Sequence, residues 1–364
     1  MIRYLENKQP ESSAICNEID SPSLPKKQPA LPNYEAADRQ FVNLLEIDDL
    51  DKTVAAKPLL VSDFESAIAF ALRSAYQEDG DNEAAHRFLQ RVLYRINRLN
   101  LFWYDDLHRY NNERSEEPWQ QWEFAQIDVA AVQNIENVKQ ALRDRAAADV
   151  DPELTPIDRY LREQMTEGGY RHLLAIASFD GLVEASRVSR IIGGAGNEIQ
   201  STLTRVLIEE YGGGRLPRKH STYFAQMLAE FGMSTEPEAY FDLVPWEVLA
   251  SINHNFLLTE RKRYFLQYNG GLTYFEVAGP VAYRNYLAAA QRLGLSQAAM
   301  GYWEVHIRED ERHGRWMLDE VAIPLADRYP DEAWELVLGY DREKSIGDRA
   351  ALAVVRSIQA AEHN

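Results

Sequence analysis

Apolar side chains recur every three or four residues along most of this chain, and this period is the strongest constraint on its fold. Phe64, Ile68 and Leu72, for example, follow one another at intervals of four residues. Such spacing places apolar groups on one face of an α-helix, whereas a half-buried strand requires alternation. The helical pattern continues segment after segment from residue 156, and no convincing alternating strand appears. We therefore predict an all-α protein built as a bundle of helices.

Three regions differ in composition and pattern. Residues 1–56 are rich in Pro, Asp, Glu and Lys and predict an extended or partly disordered arm, whose few apolar residues, such as Phe41, would contact a partner subunit. Residues 57–150 predict a helical N-terminal region. Residues 151–364 predict the main helical domain, because Thr155 followed by proline and an acid is typical of a helix start.

Composition excludes several classes of function. The 364 residues include 57 acidic and 39 basic side chains, a net charge of −18, which argues against nucleic acid and against an anionic membrane as partners. The single cysteine, Cys16, excludes an internal disulfide and thiolate-ligated metal sites. No apolar run approaches the roughly 20 residues of a transmembrane helix. The first residues lack the apolar core of a signal peptide, so we expect a cytoplasmic protein.

The segment His306-x3-Asp310-x2-His313 is the first candidate for a functional site. On an α-helix, steps of four, three and seven residues fall on one stripe. Two imidazoles and a carboxylate on one stripe suit a first-row metal ion such as iron. The neighbouring Arg308 and Glu309 favour another interpretation, the solvated face of a charged helix, and the spacing alone does not decide between the two.

Four further side chains are candidate ligands from other helices. Glu276 lies in an apolar helical segment, where a lone buried carboxylate would be costly, so we expect a partner for it. Glu184 also lies among small and apolar neighbours. Glu210 and His220 flank the turn Gly212–Gly214, which would let both side chains point inward. Taken alone, Glu184 or Glu210 is more often a surface acid or a capping residue.

The complete set contains three histidines and four carboxylates. Its members are Glu184, Glu210, His220, Glu276, His306, Asp310 and His313. One metal ion rarely needs seven protein ligands, whereas two divalent cations would balance the charge of four carboxylates. Asp310-x2-His313 is also similar to the Glu-x-x-His element of di-iron carboxylate bundles.

Two glycine clusters invite comparison with a nucleotide-binding loop. Gly212–Gly214 and Gly270–Gly271 follow helical segments, and neither has the spacing of a dinucleotide-binding turn. We predict helix ends and tight turns at both clusters. The alternative is that these glycines allow the backbone to pass close to a buried group.

The ordered set Glu, Glu-x9-His, Glu, His-x3-Asp-x2-His resembles that of the haem-oxygenase-like di-iron oxidases and oxygenases, also called iron-containing redox enzymes. The similarity covers about residues 155–364, and the spacing is most similar to N-oxygenating members, which include nitrosourea-forming enzymes. The resemblance implies a haem-oxygenase-like di-iron domain over residues 151–364, preceded by a dimerising helical region. A C-terminal cupin domain is not expected in this chain, so N–N bond formation is not carried over.

The resemblance also implies a division of the ligands between two iron ions. One ion would be held mainly by Glu210, His220, Glu276 and His313. The other ion would be held by Glu184, His306 and Asp310, with carboxylates bridging the two. No catalytic residue beyond these ligands is expected.

The implied activity is that of a non-haem di-iron, O2-dependent N-oxygenase of specialised metabolism. It would convert an amine or guanidine nitrogen to a hydroxylamine and, after further rounds, to a nitro group. The cofactors would be two Fe(II) ions with O2 as co-substrate. Electrons would come from an external reductase or small reductant, because no flavin or nicotinamide site is visible, and the protein would be a homodimer.

Two other functions stay open. An O2-dependent di-iron C–C lyase or desaturase would act on an amino acid or fatty acid, with Arg187, Arg190 or Arg308 available to bind a carboxylate. A helical interaction protein with exposed acids would have no enzymatic activity. Iron content separates the latter from both enzymes, and an olefin product instead of an N-oxide separates the enzymes from each other.

Overall fold

The computed structural model describes residues 32–45, 47, 50–57, 62–75, 82–102, 134–183, 186–193 and 196–363. These residues form helices, turns and loops without a strand, which confirms the all-α prediction. The α-helices are α1 (Tyr34–Leu45), α2 (Leu50–Ala56), α3 (Ser62–Ala75), α4 (Glu83–Phe102), α5 (Ile135–Asp149), α6 (Pro156–Glu163), α7 (Glu167–Gly181), α8 (Ser186–Ile192), α9 (Asn197–Glu210), α10 (His220–Glu230), α11 (Trp246–Glu260), α12 (Phe265–Arg292), α13 (Gly301–Trp316), α14 (Ile323–Arg328) and α15 (Trp334–His363). Within the described ranges, no helix combines the length and the apolar character that a bilayer span requires.

Helices α1, α3 and α4 pack around an apolar cluster of their own. Phe41 of α1 stacks on Phe64 of α3 with ring centroids 4.9 Å apart, and Phe88 of α4 is buried in the same cluster. Both α1 and α2 lie within residues 1–56, so the extended arm expected there is wrong for these two segments. The physical reason for α1 is that its apolar stripe is buried within its own chain. The domain boundaries expected at residues 56 and 150 stay predictions.

Helix α12 packs along α13 and α15. Its close contact with α15 depends on glycines in both helices. Gly270 and Gly271 lie inside α12, so the helix end predicted there is wrong. The alternative of a close backbone approach is correct. A Cβ on Gly270 would overlap the carbonyl group of Leu336, and a Cβ on Gly339 would overlap that of Gln267. Helices α12 and α15 are therefore in direct backbone contact.

Gly212–Gly214 form the turn that the sequence predicts. Their φ angles of 61°, 64° and 77° lie in the left-handed region, which glycine adopts without steric cost. A Cβ on Gly212 would overlap the backbone of Arg218, so the chain folds back tightly on itself. This turn brings the last residue of α9 beside the first residue of α10.

Helix α13 is oriented by a buried aromatic cluster near its start. Trp303 Nε1 donates a hydrogen bond of 2.7 Å to the hydroxyl of Tyr170, and both side chains are buried. Phe224 packs edge-on against Trp303 with ring centroids 6.0 Å apart. These contacts fix the rotation of α13 about its axis, so the residues that follow at helical spacing face the interior. A π-helical turn, Met317–Ala322, follows α13 directly.

Candidate metal centre

Six of the seven predicted ligand side chains lie together in the interior, and Glu184 lies outside the described residues. The six are Glu210, His220, Glu276, His306, Asp310 and His313. None of them is more than 7% exposed. The stripe of α13 that carries His306, Asp310 and His313 is therefore buried, which excludes the interpretation as a solvated face.

Two glycines, Gly279 and Gly314, allow α12 and α13 to approach each other closely at this cluster. An ideal Cβ on Gly314 would lie 3.0 Å from the carbonyl oxygen of Glu276, and one on Gly279 would lie 3.3 Å from Asp310 Oδ2. Pro280 lies four residues after Glu276 and has no N–H, so that carbonyl lacks its usual helical donor. The local sequence of α12 thus brings the Glu276 segment close to the ligand-bearing face of α13.

The first group of donors consists of Glu210, His220 and His306. His220 Nδ1 lies 2.8 Å from Glu210 Oε2 and 3.1 Å from His306 Nε2. His306 Nε2 lies 3.9 Å from the same Glu210 oxygen. The other nitrogen of His306, Nδ1, lies 2.8 Å from the carbonyl oxygen of Tyr302. That contact fixes the ring of His306 with Nε2 directed at the group.

The second group surrounds His313 Nδ1 with carboxylates. This nitrogen lies 3.5 Å from Glu210 Oε1, 3.3 Å from Glu276 Oε2 and 3.8 Å from Asp310 Oδ1. Burial disfavours the charged imidazole of His313, but Glu276, Glu210 and a hydrogen bond to Glu209 outweigh burial and raise its pKa to about 9. A positive charge is therefore favoured at this position, whether a proton or a metal ion carries it.

Glu210 belongs to both groups, with Oε2 facing the first and Oε1 facing the second. The described grouping differs from the division that the resemblance implies. That division places His220 with His313 and separates His306 from both, whereas the Gly212–Gly214 turn here brings His220 beside His306. Imidazole nitrogens and carboxylate oxygens together suit a borderline divalent ion, so the donor set fits iron.

Two outer carboxylates contact the ligand histidines, and neither is among the site residues predicted from the sequence. His313 Nε2 lies 2.7 Å from Glu209 Oε2, and His220 Nε2 lies 3.0 Å from Glu309 Oε2. In metal sites such partners fix the tautomer and the orientation of the ligand ring. Their positions in the sequence could have identified them as candidates, because Glu209 directly precedes Glu210 and Glu309 directly precedes Asp310.

Replacement of either outer carboxylate is expected to weaken metal binding while the inner ligands stay in place. Glu209→Ala and Glu309→Ala should each lower the affinity for Fe(II) by about 10- to 100-fold, because the ligand ring loses its orienting partner. A competition titration with a chelator measures this affinity. Glu311→Ala is the matched control, since this exposed carboxylate on the same helix faces Arg284 at 3.8 Å. Equal affinities in all three variants would contradict the orienting role.

A cavity of about 200 Å³ adjoins the metal centre. Glu210, Glu276, His306 and Asp310 contribute to its lining, together with apolar side chains such as Phe275. Tyr302 also lies beside the site, with its ring centroid 4.1 Å from that of His306. The predicted ligand cluster therefore has access to a space that a small molecule can enter.

A second set of polar side chains lines the same cavity, and we call it the wall cluster: Asp180, Arg187, Asn255 and Glu343. Arg187 lies 2.6 Å from Asp180 Oδ1. Asn255 Nδ2 donates to both oxygens of Glu343, at 3.0 and 3.2 Å. Burial raises the pKa of Glu343 to about 7, although the hydrogen bond from Asn255 and the charge of Arg187 oppose the shift.

The raised pKa of Glu343 predicts a pH dependence of stability. Between the ordinary glutamate pKa of 4.5 and about 7, the folded protein binds a proton that the unfolded chain has lost. The contribution of Glu343 to the free energy of unfolding therefore falls as the pH rises through this window. We therefore compare the free energy of unfolding of Glu343→Gln with that of the parent protein at each pH. The difference is expected to favour the variant more at pH 8 than at pH 5.

Urea denaturation at the two pH values measures the effect of Glu343→Gln. The exposed Glu332, replaced by glutamine, serves as the control and should leave the pH dependence unchanged. A stability difference between Glu343→Gln and the parent that is the same at both pH values would contradict the assignment.

Comparisons with known proteins confirm the family resemblance. Residues 171–343 match the model of the family described as iron-containing redox enzymes. Nitrosourea synthase of Streptomyces achromogenes subsp. streptozoticus is 28% identical over 152 residues, which cover 42% of this chain and 32% of that protein. The matched segment thus spans about a third of the length of this curated relative. The family match includes all six described ligand candidates.

Proposed function

We propose, on the premise that residues 171–343 of this chain belong to the iron-containing redox enzymes, that the protein is a non-haem di-iron, O2-dependent N-oxygenase. Its substrate would be an amine or guanidine, and its product a hydroxylamine or, after further oxidation, a nitro compound. The observation that carries the proposal is Glu210, whose two oxygens face two adjacent groups of buried metal donors. The similarity to a nitrosourea synthase supports chemistry at nitrogen.

The six described ligand candidates would hold the metal ions, with Glu184 as a proposed seventh ligand. Bound iron supplies the activation of O2, which no amino-acid side chain provides. The chain's own contribution is to orient the ligand rings through Glu209 and Glu309 and to keep bulk water away from buried donors. The substrate nitrogen must be uncharged when it attacks oxygen, so the protein must bind it in that form.

The cavity supports a small, polar substrate rather than a fatty acid. Its volume of about 200 Å³ is below the ~300–1,000 Å³ of pockets for drug-sized ligands. A second space of about 620 Å³ also reaches Glu276 and Asp310, and charged side chains such as Arg284 and Arg315 line it. The wall cluster of the smaller cavity includes the buried Glu343, and an alkyl chain could not pair with the charge of this carboxylate. This observation favours the N-oxygenase over a desaturase or C–C lyase that acts on fatty acids.

The test combines metal analysis with product analysis. Protein produced with added iron is expected to contain about two iron ions per chain by mass spectrometry of the metal. The reduced protein should then consume O2 with an amine or guanidine and transfer label from 18O2 to the substrate nitrogen. Protein without iron, or an olefin with CO2 as products, would overturn the proposal.

The electron donor, the oligomer and the location belong to the same proposal. We expect an external reductase or small reductant, a homodimer mediated by the helices before residue 150, and a cytoplasmic protein of specialised metabolism. Analytical ultracentrifugation of the full chain, compared with a chain that lacks α1 to α4, tests the dimer. A monomer for the full chain would contradict it.

A further inference from the structure

The wall cluster carries a net negative charge when Glu343 is ionised. It contains one cation, Arg187, and two acids, Asp180 and Glu343. Arg187 is engaged by Asp180 at 2.6 Å, so this pair is neutral as a unit. Glu343 is 5% exposed, and Asn255, its hydrogen-bond donor among the described residues, has no charge. Among the described residues no cation forms an ion pair with Glu343, and the longer-range attraction of Arg187 is offset in part by Asp180.

Glu343 has acceptor capacity left for a ligand. A carboxylate offers about four lone-pair positions, and both oxygens here share the single amide group of Asn255. An ideal Cβ on Gly271 would lie 3.4 Å from Glu343 Oε2, so the glycine keeps the space beside this oxygen open. Burial of an ionised carboxylate is costly unless it is paired, and a cation from the ligand would provide the pair.

We propose that Glu343, supported by Asn255, binds a cationic nitrogen group of the substrate. The substrate class is then a compact amine or guanidine that carries a second, positively charged nitrogen. This inference rests on the proposed N-oxygenase function, because the first nitrogen is the one that reacts at the metal centre. Glu343 is a specificity-determining residue in this scheme and takes no part in the oxidation.

The charges of the cavity favour this substrate class over an anionic one. A substrate carboxylate would lie near Glu343 and would have to compete with Asp180 for Arg187. A cation avoids both costs and stabilises the ionised form of Glu343, whose pKa burial otherwise raises to about 7. The reacting nitrogen must be neutral, so the cation that the wall selects must be a different group of the same molecule.

Binding of matched five-carbon probes under anaerobic conditions tests the inference without turnover. The probes for calorimetry with the iron-loaded full chain are 1,5-diaminopentane, 1-aminopentane and 5-aminopentanoate, and the diamine series is extended from three to six carbons. A diamine is expected to bind at least about tenfold more tightly than the monoamine of equal length, since a buried charged hydrogen bond is worth about 1.5–3 kcal/mol. The aminopentanoate should bind most weakly.

Two substitutions in α15 test whether the preference for the diamine depends on Glu343. Glu343→Gln is expected to abolish the advantage of the diamine over the monoamine. Glu335→Gln is the matched control, because Glu335 lies on the same helix and also accepts a hydrogen bond from an amide, Gln267, at 3.2 Å, but does not line the cavity. Melting temperatures of both variants at pH 8 verify that they are folded, and Glu343→Gln should not be the less stable one.

Several outcomes would overturn the inference while leaving the proposed function intact. These are equal affinity for the diamine and the monoamine, tightest binding of 5-aminopentanoate, an unchanged preference in Glu343→Gln, and no binding of any diamine. The proposed function can also fail while the cation site stands. A diamine that binds through Glu343 without consumption of O2 would contradict the proposed function and support the cation site.

Discussion

Replacement of Glu210 with alanine is expected to remove both proposed iron ions, because this is the side chain that contributes to both groups of donors. His220→Ala and His313→Ala each affect one group and should retain about one ion per chain. Turnover should fall below detection in all three variants. Metal analysis by mass spectrometry gives the iron content, and consumption of O2 gives the activity.

Helical content should remain near that of the parent protein in these variants, since the ligands lie on helices that also pack through apolar cores. Circular dichroism verifies this point. Glu198→Ala provides a matched control on the same helix as Glu210, where its side chain is exposed. Full iron content and full activity in Glu210→Ala would show that the ligand assignment is wrong.

The largest effect on stability is expected at Gly339. A methyl group at this position would overlap the carbonyl group of Gln267, so α12 and α15 would have to separate. Overpacking in a well-packed interior costs about 1–3 kcal/mol, and backbone displacement places this change at or above the upper end. Gly339→Ala should therefore lower the free energy of unfolding by about 3 kcal/mol in urea denaturation.

Gly347→Ala is the control for this prediction, because it is the same substitution two turns further along α15. A Cβ there would meet Tyr274 at an ordinary 3.8 Å. Alanine is a better helix former than glycine by up to about 1 kcal/mol, so this variant should be equal to or more stable than the parent. Similar stability for the two variants would contradict the direct backbone contact between α12 and α15.

Much of the candidate site could be predicted from the sequence because its residues conflict with their surroundings. Glu276 lies in an apolar helical segment, and His306, Asp310 and His313 share one helical stripe. Such conflicts are resolved when the side chains meet, and the structure brings these four residues together with Glu210. The seventh predicted ligand, Glu184, lies outside the described residues and stays a prediction.

The remaining features depend on contacts between segments that are distant in the sequence. Glu209 and Glu309 are each next to an inner acid, and a carboxylate that faces a ligand histidine has the same local pattern as one that faces solvent. Glu343 lies in a charged run between Arg342 and Lys344, which is typical of a solvated helix face. Its burial follows only from the packing of α15 against α12 and α11.

The glycine pair in α12 shows the same limit of local patterns. A pair of glycines predicts a helix end when the local sequence alone is considered. Gly270 and Gly271 instead continue a long helix, and the backbone of Leu336 occupies the space that a side chain at position 270 would fill. The identity of that neighbour, α15, could not be read from the residues around position 270.

The backbone contact between α12 and α15 has a consequence for substrate selection in the proposed enzyme. Glu276 is carried by α12 and Glu343 by α15, and the two helices touch main chain to main chain at Gly270 and Gly339. The distance between the proposed metal centre and the proposed cation-binding carboxylate is then set by the packing of these two helices. The preference for one diamine length should therefore persist when apolar residues of the cavity are substituted. It should weaken only when a substitution at the contact increases the distance between α12 and α15.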